Sequence, residues 1–175
     1  MKLNKLAMVL GLGVALTAGA ANAADQGHGK VRFHGSIVDA PCTLKSNDIN
    51  VYMGEISNQV LLAKDGASPD KKFKIELEGC TIATKKEVRA SFDGMTVEGN
   101  KKLLAISGTA KGAGIEITPV SNNHALALDY SDEVVQPLLD GNNDMDFTAR
   151  VKRDGTENIV PGTFEAIATF ALNYQ

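Results

Sequence analysis

Two cysteines, Cys42 and Cys80, are the most reactive side chains in this 175-residue sequence. A cysteine can act as a catalytic nucleophile when a histidine activates its thiol, and two cysteines can instead form a disulfide. No histidine stands next to either cysteine in the sequence, although the fold could still bring one close. In an exported chain the two cysteines favour a Cys42–Cys80 disulfide, and a catalytic cysteine stays as the alternative.

A second group with chemical potential is a run of oxygen-bearing side chains at alternate positions, comprising Asp140, Asn142, Asp144 and Asp146. This spacing is that of the first ligands of an EF-hand calcium loop. Met145 occupies the position that requires glycine, and Val151 occupies the position of the bidentate glutamate. We therefore predict a solvated turn over residues 140–146 and no metal site, with weak calcium binding as the alternative.

The remaining candidates for catalysis are weak. His28 and His34 alternate with apolar residues near the start of the chain, and His124 lies in a polar stretch, so all three are predicted at the surface. The glycine-rich residues 108–114 lack both the spacing of a phosphate-binding loop and a following helix, and there is no Gly-x-Ser-x-Gly motif. The sequence therefore predicts a protein that is not an enzyme and needs no cofactor, with a small secreted enzyme as a minor alternative.

The first 23 residues have the organisation of a secretory signal. Lys2 and Lys5 form a short basic region, residues 6–18 are apolar or small, and residues 21–23 (Ala-Asn-Ala) match the small-x-small cleavage pattern. The apolar run is too short to cross a bilayer easily. We predict cleavage after Ala23 and export, with a retained membrane anchor as the alternative.

The chain that remains after cleavage has the length of one domain. Removing 23 of the 175 residues leaves 152, which suffices to bury a core without a metal. Losing Lys2 and Lys5 lowers the basic count from 18 to 16 against 21 acidic residues, so the net charge becomes −5. This acidic balance argues against nucleic acid as a partner and gives no sign of binding to anionic lipid.

Residues 24–38 alternate in a pattern that is typical of a strand. Val31, Phe33 and Ile37 fall on one face together with Gly35, while mostly basic and polar side chains fall on the other. Glycine is unusual inside a stable strand because it adds backbone entropy and offers no side chain for packing. We therefore predict a flexible N-terminal extension that becomes ordered against a bulky surface, where Gly35 allows close approach.

The middle of the chain predicts many short strands. Alternating apolar residues indicate strands at residues 49–53, 71–78, 88–92, 115–120 and 146–151. Residues 59–69 and 133–139 are predicted as irregular connections, and no helix is predicted after the signal. Short strands that are separated by turn signals at short intervals favour an all-β sandwich.

The last residues form the clearest predicted strand. Its apolar face comprises Phe164, Ala166, Ala168, Phe170, Leu172 and Tyr174, and residues 161–162 (Pro-Gly) mark a turn before it. A strand at the end of the sequence has no following segment to cover it. We expect either an ordinary strand in a closed sheet or an open apolar edge, which is a template for a strand of another chain.

Together these features resemble the subunits of chaperone–usher fimbriae, in particular the major pilins of the type 1 and P-like class. In that family a glycine is fourteenth from the end and a tyrosine is penultimate, and Gly162 and Tyr174 occupy these positions here. The match spans the whole mature chain. The matching segments are residues 29–42 (GKVRFHGSIVDAPC), 78–80 (EGC), 140–143 (DGNN), 161–162 (PG) and 164–175.

The resemblance implies an immunoglobulin-like β-sandwich over residues 39–175 that lacks its last strand. It also implies that residues 24–38 are a donor strand, which inserts Val31, Phe33 and Ile37, with Gly35 between them, into a neighbouring copy. Strand addition from head to tail does not close on itself and therefore builds a filament. The acceptor groove would be bordered by residues of the C-terminal strand, namely Gly162, Phe164, Ala166, Ala168, Phe170, Leu172 and Tyr174.

The resemblance further implies partners and a location. A periplasmic chaperone lends the missing strand until an outer-membrane usher exchanges it for the extension of the next subunit. The chain would then cross the periplasm and end in a fimbria on the cell surface, together with other fimbrial subunits. A minor adaptor subunit is the nearest alternative function. A tip adhesin is a weaker alternative, because residues 39–175 leave room for only one domain.

Overall fold

The computed structural model describes residues 29–64, 66–155 and 158–175. The chain divides after Ile37 into two units, Met1–Ile37 and Val38–Gln175. The expected signal at residues 1–23 and the first part of the expected donor extension, residues 24–28, lie outside the described residues. Within the described ranges, no helix is both long enough and apolar enough to span a bilayer.

Residues 29–37 carry no regular secondary structure in the single chain. The side chains of Val31, Phe33 and Ile37 are 77, 91 and 104% exposed. No atom lies within 4 Å of the place where a Cβ at Gly35 would stand. The alternation that predicts a strand here is therefore not realised as a strand in one copy, because water satisfies the backbone groups of an exposed segment equally well.

The described part of the second unit contains one short helix and a series of antiparallel strands. In chain order these elements are β1 (Thr43–Leu44), α1 (Asn58–Leu62), β2 (Lys71–Cys80), β3 (Glu87–Gly94), β4 (Thr96–Val97), β5 (Asn100–Ala105), β6 (Ser107–Gly108), β7 (Ala113–Pro119), β8 (Val134–Pro137), β9 (Gly141–Arg153), β10 (Phe164–Glu165) and β11 (Ala168–Tyr174). The predicted strands at residues 71–78, 88–92 and 146–151 are confirmed as parts of β2, β3 and β9, and the one at residues 115–120 is confirmed up to Pro119, where β7 ends.

The strands form two main sheets that pack face to face as an immunoglobulin-like β-sandwich. One sheet has the order β1-β2-β9-β7-β5-β4 and the other has the order β11-β3-β8, while β10 pairs with β6. Apolar side chains from both sheets are fully buried between them, including Ile75 of β2, Phe147 of β9 and Val88 of β3. The prediction of an all-β sandwich is confirmed.

Four phenylalanines connect the two sheets through the core. The rings of Phe73 on β2 and Phe147 on β9 stack with their centroids 5.4 Å apart. Phe92 on β3 meets the Phe147 ring edge to face at 5.1 Å, and Phe170 on β11 lies 6.3 Å from Phe92. Edge-to-face and offset contacts of this kind stabilise a pair beyond the burial of its area. The C-terminal strand is thereby joined to the centre of the sandwich.

Two connections that the sequence predicts as irregular contain regular elements. Residues 59–69 include most of α1, which begins because the Ser57 hydroxyl accepts a hydrogen bond from the Gln59 N–H at 3.3 Å and which buries Leu61. Residues 133–139 include β8, where Val134 is buried and the strand pairs with β3. Pro137 ends β8 without breaking the sheet, because β8 is an edge strand.

The acidic segment at residues 140–146 is also more regular than expected. Only Asp140 lies outside β9, and its carboxylate accepts from the Ile82 N–H at 3.0 Å, while Gly141 begins β9 at a φ of +94°. The following residues already belong to β9, and Asp144 on its outer face pairs with Lys74 at 2.8 Å. Among the described residues, no group of three or more histidine, cysteine or carboxylate side chains is arranged to hold a metal ion.

The expected disulfide joins Cys42 to Cys80 across 38 positions of the sequence. It ties the segment just before β1 to the last residue of β2. β1 has only two residues, so its ladder with β2 is short. On the chain-entropy model a cross-link of this span stabilises the fold by about 4 kcal/mol.

A buried carboxylate links β7 to β9. The side chain of Glu116 is only 7% exposed, and its oxygens accept from Arg150 Nε at 2.7 Å, from Arg150 Nη2 and from Lys152 Nζ at 2.8 Å. Burial alone would raise the pKa of Glu116, but the hydrogen bonds from Lys152 and Arg150 outweigh it and hold the pKa below its ordinary value of 4.5.

Replacement of Glu116 by glutamine is expected to lower the free energy of unfolding by about 1–3 kcal/mol at neutral pH. A carboxylate whose folded-state pKa is lowered stabilises the fold above its unfolded pKa, and this contribution is lost as the pH falls through the folded value. The difference between variant and parent should therefore shrink well below pH 4.5. Denaturant midpoints of purified protein at neutral pH and well below pH 4.5 would measure it, with the exposed Glu55→Gln as the control. A difference that is constant with pH would contradict the expectation.

Candidate strand-acceptor groove

The outer edge of β11 is unpaired within the described part of the second unit, where β11 pairs only with β3. Gln175 and Glu87 exchange both backbone hydrogen bonds, each 3.0 Å long, and this fixes the alternation along the β3–β11 ladder. The residues at even positions of β11 therefore fall at the pairs that are not hydrogen-bonded. Their N–H and C=O groups point away from β3 towards the open edge. These residues are Ala168, Phe170, Leu172 and Tyr174.

The apolar face of the C-terminal segment is only partly covered. Each predicted groove residue from Phe164 to Tyr174 packs against the core but stays half-buried, and the intervening residues are exposed. Partial burial also raises the pKa of the Tyr174 phenol, so its hydroxyl stays neutral at physiological pH. One side of the core thus lacks a layer of side chains. The half-buried residues are Phe164, Ala166, Ala168, Phe170, Leu172 and Tyr174.

A second row of half-buried side chains follows β1. Leu44, Ile49, Met53 and Ile56 pack against the core without being enclosed, while Tyr52 between them is 84% exposed. The predicted strand at residues 49–53 is not formed, and no regular element is present between β1 and α1. The alternation is nevertheless kept by the side chains. This segment therefore resembles β11 in two respects: one face packs against the core, and an edge is left without a paired strand.

Both rows adjoin an edge of their sheet and pack against the same core. β8 flanks β3 on the side opposite to β11, and Gln136 of β8 donates from Nε2 to the Asp144 carbonyl of β9 at 3.0 Å. In the six-stranded sheet, β1 lies on the other side of β2 from β9. β11 and β1 are therefore each the edge strand of their sheet. The open edge of β11, with the half-covered core beneath it, is the candidate acceptor site.

The predicted C-terminal strand is interrupted after Glu165, where the chain passes from β10 to β11. β10 pairs with β6, and the Thr109 and Ala110 N–H groups both donate to the Thr163 carbonyl, at 3.0 and 3.1 Å. A Cβ at Gly162 would stand 2.4 Å from Thr109 Oγ1 and 2.6 Å from the Ala110 nitrogen. Glycine is therefore required at position 162 because two backbone segments meet there, just before β10 pairs with β6.

Replacement of Gly162 by alanine is expected to destabilise the fold by about 1–3 kcal/mol, because the added methyl group must displace backbone rather than a flexible side chain. The yield of assembled protein and its denaturant midpoint should both fall. Gly29→Ala is the matched control, since no atom lies within 4 Å of a Cβ at that position. Equal midpoints for the two variants would contradict the close-approach explanation.

Sequence reasoning identified the row on β11 and missed the row after β1. The strict alternation of residues 164–174 gave a clear signal for the first row. The second row was recognisable only as a short strand at residues 49–53, which does not form. The role of Thr109, whose hydroxyl accepts from the Thr163 N–H beside Gly162, could not be predicted from the sequence. The contact depends on the pairing of β6 with β10.

The comparisons with known proteins agree with this architecture. The family model of the fimbrial proteins matches residues 31–175. The chain is 48% identical over 182 residues to the major MR/P fimbria protein of Proteus mirabilis (strain HI4320), and the match covers 100% of each chain. It is also 48% identical over 180 residues to the fimbria A protein of Serratia marcescens, again with 100% of each chain covered.

Solved structures show the same fold. The P pilus rod subunit PapA matches with a TM-score of 0.69 and 30% identity, covering 78% of this chain and 100% of that chain. A subunit in a chaperone–usher pilus, described as revealing the molecular basis of rod uncoiling, matches with a TM-score of 0.71 and 33% identity over 86% of this chain and 97% of that chain. The family model and the full-length relatives lead to one conclusion: the chain belongs to the fimbrial protein family.

Proposed function

We propose that this chain is the major structural subunit of a fimbria and that it polymerises by donating residues 24–38 to the groove of the next copy. The observation that carries the proposal is the half-buried row on β11, whose outer backbone groups are unpaired in the described unit. The relatives that match over their full length support a major subunit, since one is named as the major protein of its fimbria. The role is structural, and adhesion would depend on the fibre it builds.

The donor segment has the length that the open edge requires. β11 has seven residues, of which four turn their backbone groups outward. Residues 31–37 are also seven, with Val31, Phe33, Gly35 and Ile37 on one face. Burial of the three apolar side chains would contribute on the order of 5–9 kcal/mol before ordering costs. Main-chain hydrogen bonds along the edge would add to this and slow the dissociation of neighbours.

Side-chain size favours a donor that runs antiparallel to β11. In that direction the residue without a side chain, Gly35, lies beside the large Phe170, and Ile37 lies beside the small Ala168. A parallel donor with the same overlap would instead place Phe33 beside Phe170, which is already held by Phe92. The antiparallel pairs are Ile37–Ala168, Gly35–Phe170, Phe33–Leu172 and Val31–Tyr174.

The same groove accounts for the proposed route of the chain to the surface. An unpaired apolar edge is an aggregation hazard for a free subunit. A periplasmic chaperone that lends a strand would remove this hazard, and an outer-membrane usher would direct the exchange for the donor of the next subunit. Export through the periplasm requires the signal that we expect at residues 1–23. Other subunits of the same fimbria would use the same exchange.

Electron microscopy of cells with and without this chain tests the proposed function. Loss of the fibres on deletion, and their return with the complementing chain, is the expected result. Copy number distinguishes a major subunit from a minor adaptor, because the shaft of sheared fibres would consist mainly of this chain. Fibres of unchanged number and composition in the deletion strain would contradict the proposal.

A further inference from the structure

We propose a second contact between neighbouring copies, outside the groove, in which Val38 of the donor packs against Ile167 and Met95 of the acceptor. This inference rests on the proposed function, because Val38 reaches that place only when residues 31–37 occupy the groove of the next copy. It assigns a role to three of the most exposed large apolar side chains of the described chain. Val38 is 71% exposed, Ile167 is 73% exposed and Met95 is 81% exposed.

Ile167 and Met95 are neighbours in the single chain. Ala168, the first residue of β11, is opposite Gly94, the last residue of β3, and Ile167 and Met95 directly adjoin this pair. A Cβ at Gly94 would stand 3.1 Å from the Ile167 carbonyl, which shows how closely the two strands approach there. Ile167 has the same parity as the exposed residues Thr169 and Ala171, and Met95 is exposed beside it.

The register of the donor brings Val38 into this row. With Ile37 beside Ala168, the next position along the donor, Val38, lies beside Ile167. Val38 has the opposite parity to the inserted residues, so it faces outward as Ile167 does. Val38, Ile167 and Met95 would then lie side by side just beyond the end of the β3–β11 ladder, and contacts between apolar side chains of neighbouring chains stabilise a sheet. In a parallel donor with the same overlap, Val38 would lie at the other end of β11.

The contact would close the end of the groove at which the donor enters. There the chain leaves the acceptor and continues into its own domain, beginning at Val38. Apolar cover at this point keeps water from the last backbone hydrogen bonds of the inserted strand. We therefore expect the row to affect how slowly neighbours separate more than whether they assemble.

A cysteine pair in the full chain tests the contact directly. In fibres of Val38→Cys with Ile167→Cys, each new cysteine meets its counterpart on the adjacent copy at a pair that is not hydrogen-bonded, where the Cα separation suits a disulfide. Denaturing gels without reductant should show a ladder of multimers that collapses to monomer on reduction. Val38→Cys with Val135→Cys is the matched control and should give no ladder, because Val135 is 47% exposed on β8, at the other edge of the three-stranded sheet.

A second measurement covers the case in which new cysteines disturb oxidation of Cys42 and Cys80. Fibres of Ile167→Ser should assemble in normal amount but release monomers in hot detergent at least about tenfold faster than fibres of Val135→Ser. Normal fibres with neither a ladder nor faster release would overturn the contact and leave the donor proposal intact. Fibres that form without an intact donor face would instead refute the donor proposal itself.

Discussion

Replacement of Phe33 by aspartate should abolish fibre assembly and leave the subunit folded with its chaperone. Phe33 is the largest side chain on the apolar face of the donor and is 91% exposed in the single chain, so its loss removes no internal contact. In the groove an aspartate would lose the burial of the ring and add the cost of an unpaired buried charge, together several kcal/mol. Each 1.4 kcal/mol is a factor of ten, so fibre yield should fall by at least about 100-fold.

The control for this variant is Ser36→Asp. It introduces the same charge into the same segment, but on the face that points away from the groove. The expected result is normal fibres with Ser36→Asp, none with Phe33→Asp, and equal recovery of both chaperone complexes. Sheared-fibre yield and co-purification with the chaperone measure the two steps separately. If Phe33→Asp still formed normal fibres, the assignment of residues 24–38 as the donor strand would be wrong.

Deletion of residues 170–175 should abolish the recovery of soluble subunit, with or without the chaperone. The deletion removes the Phe170 ring from the aromatic cluster at Phe92 and the reciprocal hydrogen bonds between Gln175 and Glu87. It also removes most of the edge to which any donated strand would pair. β3 would then be the edge of a two-stranded sheet, which is too small to be stable by itself.

Substitution on the outward face of the same strand is the control for the deletion. Ala171→Thr and Asn173→Thr keep the length of β11 and its inward row, and both positions are exposed. The threonine variants should be recovered with the chaperone at the level of the parent chain. Immunoblots of periplasmic extracts measure the soluble amount. Equal recovery of the deletion variant would mean that β11 is dispensable for the fold.

Strands that bury one face could be predicted from the sequence, because their period is local. Residues 71–78 alternate lysine and glutamate with Phe73, Ile75 and Leu77, and β2 occupies this place. β8 could not be predicted, because Pro137 is typical of a linker. A proline is tolerated in an edge strand, and residues 134–137 form one only by pairing with β3. The start of β9 could not be predicted either, because its residues are typical of a turn. They form a strand because they pair with β2, where Lys74 and Asp144 also form an ion pair.

The two half-buried rows were predictable in part for a related reason. The inward row on β11 has a period of two in the sequence, but the direction of its backbone groups depends on the register with β3. The second row packs against the core without forming a strand, so only the fold reveals it; its residues are Leu44, Ile49, Met53 and Ile56. The expected donor extension differs in the opposite direction. Its alternation predicts a strand, but residues 29–37 form none in the single chain. This is what we expect when the strand partner belongs to another molecule.

The disulfide also determines how the subunit would respond to mechanical tension. A pull along a filament of such subunits would enter each domain at Val38 and reach Cys42 within a few residues. The covalent link to Cys80 passes the force directly to the end of β2, so residues 43–79 are bypassed. Once the disulfide is reduced, the same pull would peel away the two-residue β1 and then β2, releasing residues 43–79, or roughly 130 Å of extended chain. Stretching of single fibres before and after reduction would measure that added length directly.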